Sequence, residues 1–319
     1  MKIAVTGASG FIGQTLIHRL QHSGYTVVPI VRRPHGLSDE VMTGSLEDAD
    51  VAALADRLKG VDAVAHLAAR THVLQDHGDA LTSYRRVNVT GTETIAHAAV
   101  TAGVRRFVYM SSIKVNGEAT RPGQCFSGSN VPAPEDAYGR TKHEAEQAIA
   151  RIAIATGLET VILRPPLVYG ANVAGNFARL VEAVRRGIPL PFGLVNNRRS
   201  LISVDNLVDA TLRALVAPGI NGEILTLSDG EDVSTRGLVE AIGAALGRRP
   251  RLLPIPVAAL ILAGRLTGRT QEVRRLVGDL QVDGATARAV LDWRPREQVA
   301  KALRHMLATP ADCGSANRG

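Results

Sequence analysis

Apolar positions in this chain of 319 residues fall into short unbroken runs separated by longer segments with helical spacing. The runs at 2–6, 25–31, 61–67, 107–111 and 160–164 show little alternation, which predicts strands buried on both faces. Between them, 14–23, 49–58, 88–102 and 138–156 repeat their apolar residues with helical period. Strands alternating with helices imply an α/β fold, a Rossmann-type doubly wound parallel sheet. After Arg164 the rhythm breaks. Pro165, Pro166, Gly170, Gly175, Gly187, Pro189, Pro191 and Gly193 punctuate loops around one helix at 177–186. A further helix spans 203–216, starting near Asp205, and helices from about Ser234 are interrupted by Pro250, Pro254 and Pro256. The expected organisation is a main domain over 1–165 with a return segment at about 201–230. A smaller C-terminal lobe takes 166–200 and 231–308, and a frayed tail takes 309–319.

Composition narrows the class. Hydrophobic residues make up 45%, enough for a core, so disorder is excluded for most of the chain. Aromatics are only 3%, so that core is aliphatic. Cys125 and Cys313 are too far apart for a metal knuckle and make no disulfide framework, which fits a reducing, cytoplasmic setting and no metal. The most apolar run, 257–263, is far shorter than the roughly 20 residues of a membrane span; a buried helix is the main expectation, and contact with a membrane surface is the alternative. Lys2 leads straight into a strand, which argues against a cleaved leader. The formal charge of +7 comes from scattered arginine pairs rather than one tract. An anionic small ligand therefore explains the charge better than nucleic acid does.

The first strand runs into Thr6-Gly7-Ala8-Ser9-Gly10-Phe11-Ile12-Gly13, and a helix follows. Glycines there allow a tight turn and a close backbone approach to a pyrophosphate, which the helix N-terminus then meets with free N–H groups. The spacing is one residue longer than the commonest dinucleotide fingerprint, but strand, loop and helix stand in the required order. Gly7, Gly10, Phe11, Ile12 and Gly13 are the candidates for that contact. An acid at the end of the second strand would select NAD. Arg32 and Arg33 stand there instead, with Asp39 and Glu40 beyond Pro34 and Gly36. Two guanidinium groups suit a 2′-phosphate, so NADP(H) is preferred and NAD(H) remains the alternative.

Tyr138 and Lys142 open a predicted helix, four positions apart and therefore on one face. A phenol with a cation beside it, helped by an oxidised nicotinamide, would titrate nearer neutral pH and exchange a proton with an alcohol. Ser111 and Ser112 lie where the fourth strand ends, the edge at which doubly wound sheets bind ligands.

Together these residues resemble the extended short-chain dehydrogenase/reductase family, in its nucleotide-sugar epimerase, dehydratase and reductase branch. The likeness runs from Lys2 to about Arg304. It includes Asp62-Ala-Val-Ala-His-Leu-Ala-Ala69, Asn88-Val-Thr-Gly-Thr92, Ser111-Ser-Ile-Lys-Val-Asn-Gly117, Leu163-Arg-Pro-Pro-Leu-Val-Tyr-Gly170 and Leu291-Asp-Trp-Arg-Pro295. The resemblance assigns Ser112, five residues before Gly117, to a catalytic set with Tyr138 and Lys142. It adds Ser45, Leu46, Leu67, Ala68, Ala69, Asn88 and Pro165 to the cofactor contacts. For a UDP-sugar it implies Ser112, Ile113, Lys114, Tyr138, Asn176, Leu190, Phe192 and Arg199, with Arg274 or its neighbour Arg275 as a second phosphate ligand. Dehydratases of the family carry Asp-Glu where this chain has Ile113-Lys114, so elimination of water is not expected.

The resemblance implies NADPH-dependent reduction of the C4 ketone of a UDP-4-keto-6-deoxy-N-acetylhexosamine, of the kind made in bacterial surface-polysaccharide loci. The alternative is an NAD-dependent UDP-hexose 4-epimerase with the same three catalytic residues. A reductase of a non-sugar ketone, and a non-catalytic NADP-sensing protein on the same fold, are weaker expectations. A homodimer is possible by analogy with the family.

Overall fold

A computed structural model describes residues 1–71 and 80–307; the expected tail and Cys313 lie outside the described residues. The main sheet contains β1 (Lys2–Thr6), β2 (Thr26–Val31), β3 (Val41–Met42), β4 (Ala63–His66), β5 (Arg106–Met110) and β6 (Glu159–Arg164). A second sheet holds β7 (Leu167–Tyr169), β8 (Arg199–Ser203) and β10 (Asp232–Val233), while β9 (Glu223–Thr226) returns to the first. The seven-stranded sheet has the order β3-β2-β1-β4-β5-β6-β9, with every described pairing parallel. In the smaller sheet β8 sits between β7, parallel to it, and β10, antiparallel.

The helices are α1 (Phe11–His22), α2 (Val51–Arg57), α3 (Ala80–Arg85), α4 (Gly91–Thr101), α5 (Ala137–Thr156) and α6 (Asn176–Arg185). They continue with α7 (Val204–Val216), α8 (Thr235–Ala245), α9 (Val257–Leu266), α10 (Thr270–Val277), α11 (Ala285–Val290) and α12 (Val299–Leu307).

Strand alternation sends side chains to two separate cores. Ile3, Val5, Val108 and Met110 meet α1 and α7, through Leu16, Leu20, Leu207 and Leu215. Ala4, Val64, Phe107 and Tyr109 face α2, α4 and α5, through Leu54, Ile95, Ala98 and Ile149. A third core, with Phe177, Leu201, Val239, Ile242 and Leu303, binds the second sheet to α6, α8 and α12.

The expected strands and helices are all present, with ends displaced by a few residues. The strands β3, β7, β9 and β10 were not expected. They are only 2–4 residues long and sit against turn residues, so no apolar period develops. One expectation is overturned. The run at 257–263 forms α9, but it is not a buried helix: only Gly264 of α9 is buried.

Candidate active site

The glycine loop owes its shape to two close approaches. Gly7 takes φ +66°, and a Cβ there would stand 2.8 Å from the Ala68 nitrogen; at Gly13 it would stand 2.2 Å from the Gly7 oxygen. Any side chain would push α1 off the loop or the loop off β4. Gly10 caps α1 without a side-chain hydrogen bond, and no acid lies in the first turn. By contrast Asp50, Asp136, Ser203 and Ser234 cap α2, α5, α7 and α8 through their side chains. The N–H groups at Phe11, Ile12 and Gly13 are thus left for an anion, and the loop fits a dinucleotide pyrophosphate.

Beneath the loop runs a chain of hydrogen bonds that sequence reasoning left without a role. The Thr92 hydroxyl donates to Asn88 O (2.7 Å), so its oxygen must accept from His66 Nε2 (2.9 Å). His66 Nδ1 then accepts from the Thr6 hydroxyl (2.6 Å), whose oxygen accepts from the N–H groups of Leu67 (3.1 Å) and Ala68 (3.2 Å). Each proton in the chain has one place to go, which fixes a neutral imidazole. Burial lowers the His66 pKa to about 3, and Lys142 adds to the effect. The signal was a threonine and a histidine at the ends of otherwise apolar strands.

Leu67, Ala68 and Ala69 follow β4 and are half-buried beside the loop. Asn88 is fully buried; it accepts from Arg70 N (2.8 Å) and donates to Arg70 O (3.2 Å) and the Thr141 hydroxyl (3.1 Å). It therefore pins the segment after β4 to α5. Arg32 and Arg33 are exposed just past β2. The nearest inward acid, Glu40, is spent on the backbone of His35 and Leu37. Ser45 and Leu46 begin a turn after β3, and Pro165 follows β6, where its oxygen accepts from Ile113 N at 2.9 Å.

The three catalytic candidates meet at the carboxyl end of β5. Ser112 starts the turn Ile113–Val115, where its hydroxyl accepts from Lys114 N at 3.3 Å, and it lies near enough to the Tyr138 phenol to favour its ionised form. Lys142 is 1% exposed and donates to Met110 O at 2.7 Å. Its ammonium lies 4.5 Å from the Tyr109 ring centre and 5.9 Å from that of Tyr138. Burial lowers the Lys142 pKa to about 7, while Glu146 one helical turn on opposes the change. Burial also raises the Tyr138 phenol well above its usual range; Asp136 adds to this and Ser112 works against it. The expected lowering of the phenol is thus reversed in the chain alone, because burial disfavours the charged form of both groups.

Ser111, next to Ser112, turns instead to Glu146. Glu146 and Arg164 form a buried pair through two bonds of 2.9 and 2.6 Å, and Arg164 reaches Asn116 Oδ1 at 3.1 Å. This network locks the end of β5 to α5 and β6. Neither Glu146 nor Arg164 was singled out from the sequence.

The expected sugar-site residues divide. Lys114 lies 5.9 Å from the Tyr138 ring centre and pairs with Asp136 (2.5 Å) and Glu118 (3.1 Å). Burial favours the neutral form of Asp136, but Lys114 and the Gly139 N–H outweigh it and hold its carboxyl below the usual range. Ile113 is buried with Leu280 and Val282. Arg199 donates to Gly278 O at 3.0 Å, within the field of Glu118, Asp279 and Arg275. Arg275 bonds Glu118 (2.7 Å) and approaches Asp136 (3.5 Å), whereas Arg274 is exposed on the other side of α10's last turn. Of the two arginines it is Arg275, not Arg274, that joins the catalytic neighbourhood. Asn176 is exposed at the start of α6, and Leu190 and Phe192 pack into the third core.

A glycine loop at β1 and a Ser–Tyr–Lys set at β5, on one edge of a parallel sheet, define a nicotinamide-dependent enzyme of the extended short-chain dehydrogenase type. The chain belongs to the NAD dependent epimerase/dehydratase family, which matches residues 3–227. It is 40% identical over 308 residues to a UDP-glucose 4-epimerase of Vibrio cholerae, covering 95% of this chain and 93% of that protein. It is 33% identical to a 2-alkyl-3-oxoalkanoate reductase of Stenotrophomonas maltophilia, over 77% of this chain and 76% of the relative. Among solved structures, MoeE5 in complex with UDP-glucuronic acid and NAD superimposes with a TM-score of 0.78 at 28% identity, covering 96% of this chain and 98% of that one. Among the described residues no helix is long and apolar enough to cross a membrane, and no cluster of His, Cys, Asp or Glu could hold a metal ion.

Proposed function

We propose that this chain is a UDP-hexose 4-epimerase working with a nicotinamide dinucleotide. The observation that carries the reading is the convergence of Ser112, Tyr138 and Lys142 at the end of β5, in a chain 40% identical to a UDP-glucose 4-epimerase over nearly its whole length. Gly7, Gly10 and the first turn of α1 would hold the pyrophosphate, and Lys142 the nicotinamide ribose. When bound, an oxidised nicotinamide would take up the C4 hydride and return it to the opposite face of the ketone, and its positive charge would lie beside Tyr138. Tyr138 takes the proton of the C4 hydroxyl and returns it after the sugar presents its other face. Ser112 hydrogen-bonds the C4 oxygen throughout. Lys142, beside Tyr138, favours the phenolate while it is protonated. Arg199 would supply guanidinium donors for a diphosphate, with Arg275, whose fork is held by Glu118, beside it.

The test is to incubate the purified protein with UDP-glucose, and separately with UDP-N-acetylglucosamine, without added cofactor, and to separate the products. Formation of the C4 epimer, with dinucleotide released on denaturation, supports the proposal. A second reading rests on Arg32 and Arg33, which stand exposed where an NAD-selecting acid would be. It is NADPH-dependent reduction of a UDP-4-keto-6-deoxy-N-acetylhexosamine. Oxidation of added NADPH by that substrate, with no epimer from either UDP-hexose, would replace the first reading by the second.

A further inference from the structure

The outer surface of α9 is apolar where a helix on a water-exposed surface should be polar. Ala258, Leu262 and Leu266 follow one another at four-residue spacing along its outward face, with Ala259 and Ala263 beside them, and all five are exposed. Leu262 is 56% and Leu266 80% exposed. The inward face is apolar too: Val257 and Leu260 pack on the third core, and Gly264 meets Val273 of α10, where a Cβ would come within 2.8 Å. The helix therefore sits on the lobe by one side and offers leucine to water on the other. Leu253 in the preceding segment and Leu276 at the end of α10 are exposed as well.

Charge is concentrated in the same stretch. Residues 246–278 contain seven arginines and one acid, Glu272, so most of the chain's +7 resides there. Arg248, Arg249, Arg251, Arg265, Arg269 and Arg274 are all exposed.

We propose that the α9–α10 face is a peripheral docking surface for an anionic lipid bilayer. The outward leucines would enter the headgroup region, and the surrounding arginines would meet anionic headgroups. Charge complementarity decides the occupant. A second copy of the chain meeting this face by two-fold symmetry would set the same arginines against each other. A nucleic acid would satisfy the arginines but leave the leucines unused. At ten residues α9 is too short to cross a membrane, so the contact lies in the interface plane.

The test is flotation of the purified full-length protein with vesicles of phosphatidylcholine containing about one third phosphatidylglycerol, and with phosphatidylcholine alone. The protein is expected to float with the anionic vesicles at low salt and to be released as salt rises. Leu262→Asp with Leu266→Asp should abolish flotation. Arg265→Ser with Arg269→Ser should weaken it roughly 30-fold at low salt. Both double variants should keep the parent's cofactor content and turnover, since they lie outside the active site. Absence of the wild-type protein from anionic vesicles overturns the proposal. So does flotation that the leucine variants do not reduce, or a homo-oligomer that these same substitutions dissociate.

Discussion

Arginine is used in opposite ways in two parts of this molecule. At the edge of the main sheet Arg164 is 2% exposed, and its charge is cancelled by both carboxylate oxygens of Glu146. On the α9–α10 face Arg265, Arg269 and Arg274 stand in water, with no ion pair among the described residues. The first arginine is part of the fold: it ties β6 to α5 and to the loop that carries Ser112. The second group contributes little to folding, because exposed charges interact weakly through water. The difference separates polar groups that position the chemistry from polar groups free to meet something outside the chain.

The largest expected effect sharpens the first half of that contrast. Tyr138→Phe removes one hydroxyl and leaves the packing, so turnover should fall about 10³- to 10⁴-fold, or roughly 4–5 kcal/mol in the barrier. Cofactor content and thermal midpoint should stay close to the parent's. A variant that lost cofactor or melted early would mean that the phenol is structural. Next comes Glu146→Gln, which leaves Arg164 buried without its counter-charge. It should cost roughly 3–4 kcal/mol in urea unfolding. It should also depress the Lys142 pKa further, since Glu146 opposes the lowering there.

The third effect depends on pH. His66 is held neutral in the fold, with a pKa of about 3, whereas an unfolded histidine binds a proton near 6.5. The unfolded state therefore gains protons that the folded state refuses. Stability from this group is intact above about 6.5 and is lost progressively as pH falls toward 3. At pH 5 the loss should be roughly 2 kcal/mol. Urea titrations at pH 7 and pH 5 should show a drop in the wild type that His66→Gln reduces by about that amount. An equal drop in both proteins would refute the proton ordering assigned to Thr6, His66 and Thr92.

These predictions also mark what could be read from the sequence. Gly7, Gly10 and Gly13, and the helix-face pair Tyr138 and Lys142, were legible because each demands a residue type at a fixed spacing. The long buried strands were legible because both their faces are apolar. His66, Glu146 and Arg164 carry no spacing rule of their own; they matter through partners such as Thr92, brought close only by the sheet. The choice between Arg274 and Arg275 turns on helix phase, since neighbours on a helix point about 100° apart. Apolar content predicted α9 as a helix but put it inside, because a run of leucine and alanine has the same periodicity on either side of a protein surface.

The smallest expected effect tests that last point. Leu262→Asp with Leu266→Asp should change stability in urea by no more than about 0.5 kcal/mol per site, the range for exposed positions. Val239→Asp makes the same kind of change in the third core, where Val239 is fully buried, and should be several times more costly. If the leucine variant were as damaging as the core variant, α9 would be covered in the folded protein and the contrast between the two regions would collapse. If it is neutral, the exposed leucines add nothing to the fold's stability in solution. That outcome leaves them, with the unpaired arginines beside them, for the bilayer contact proposed for this face.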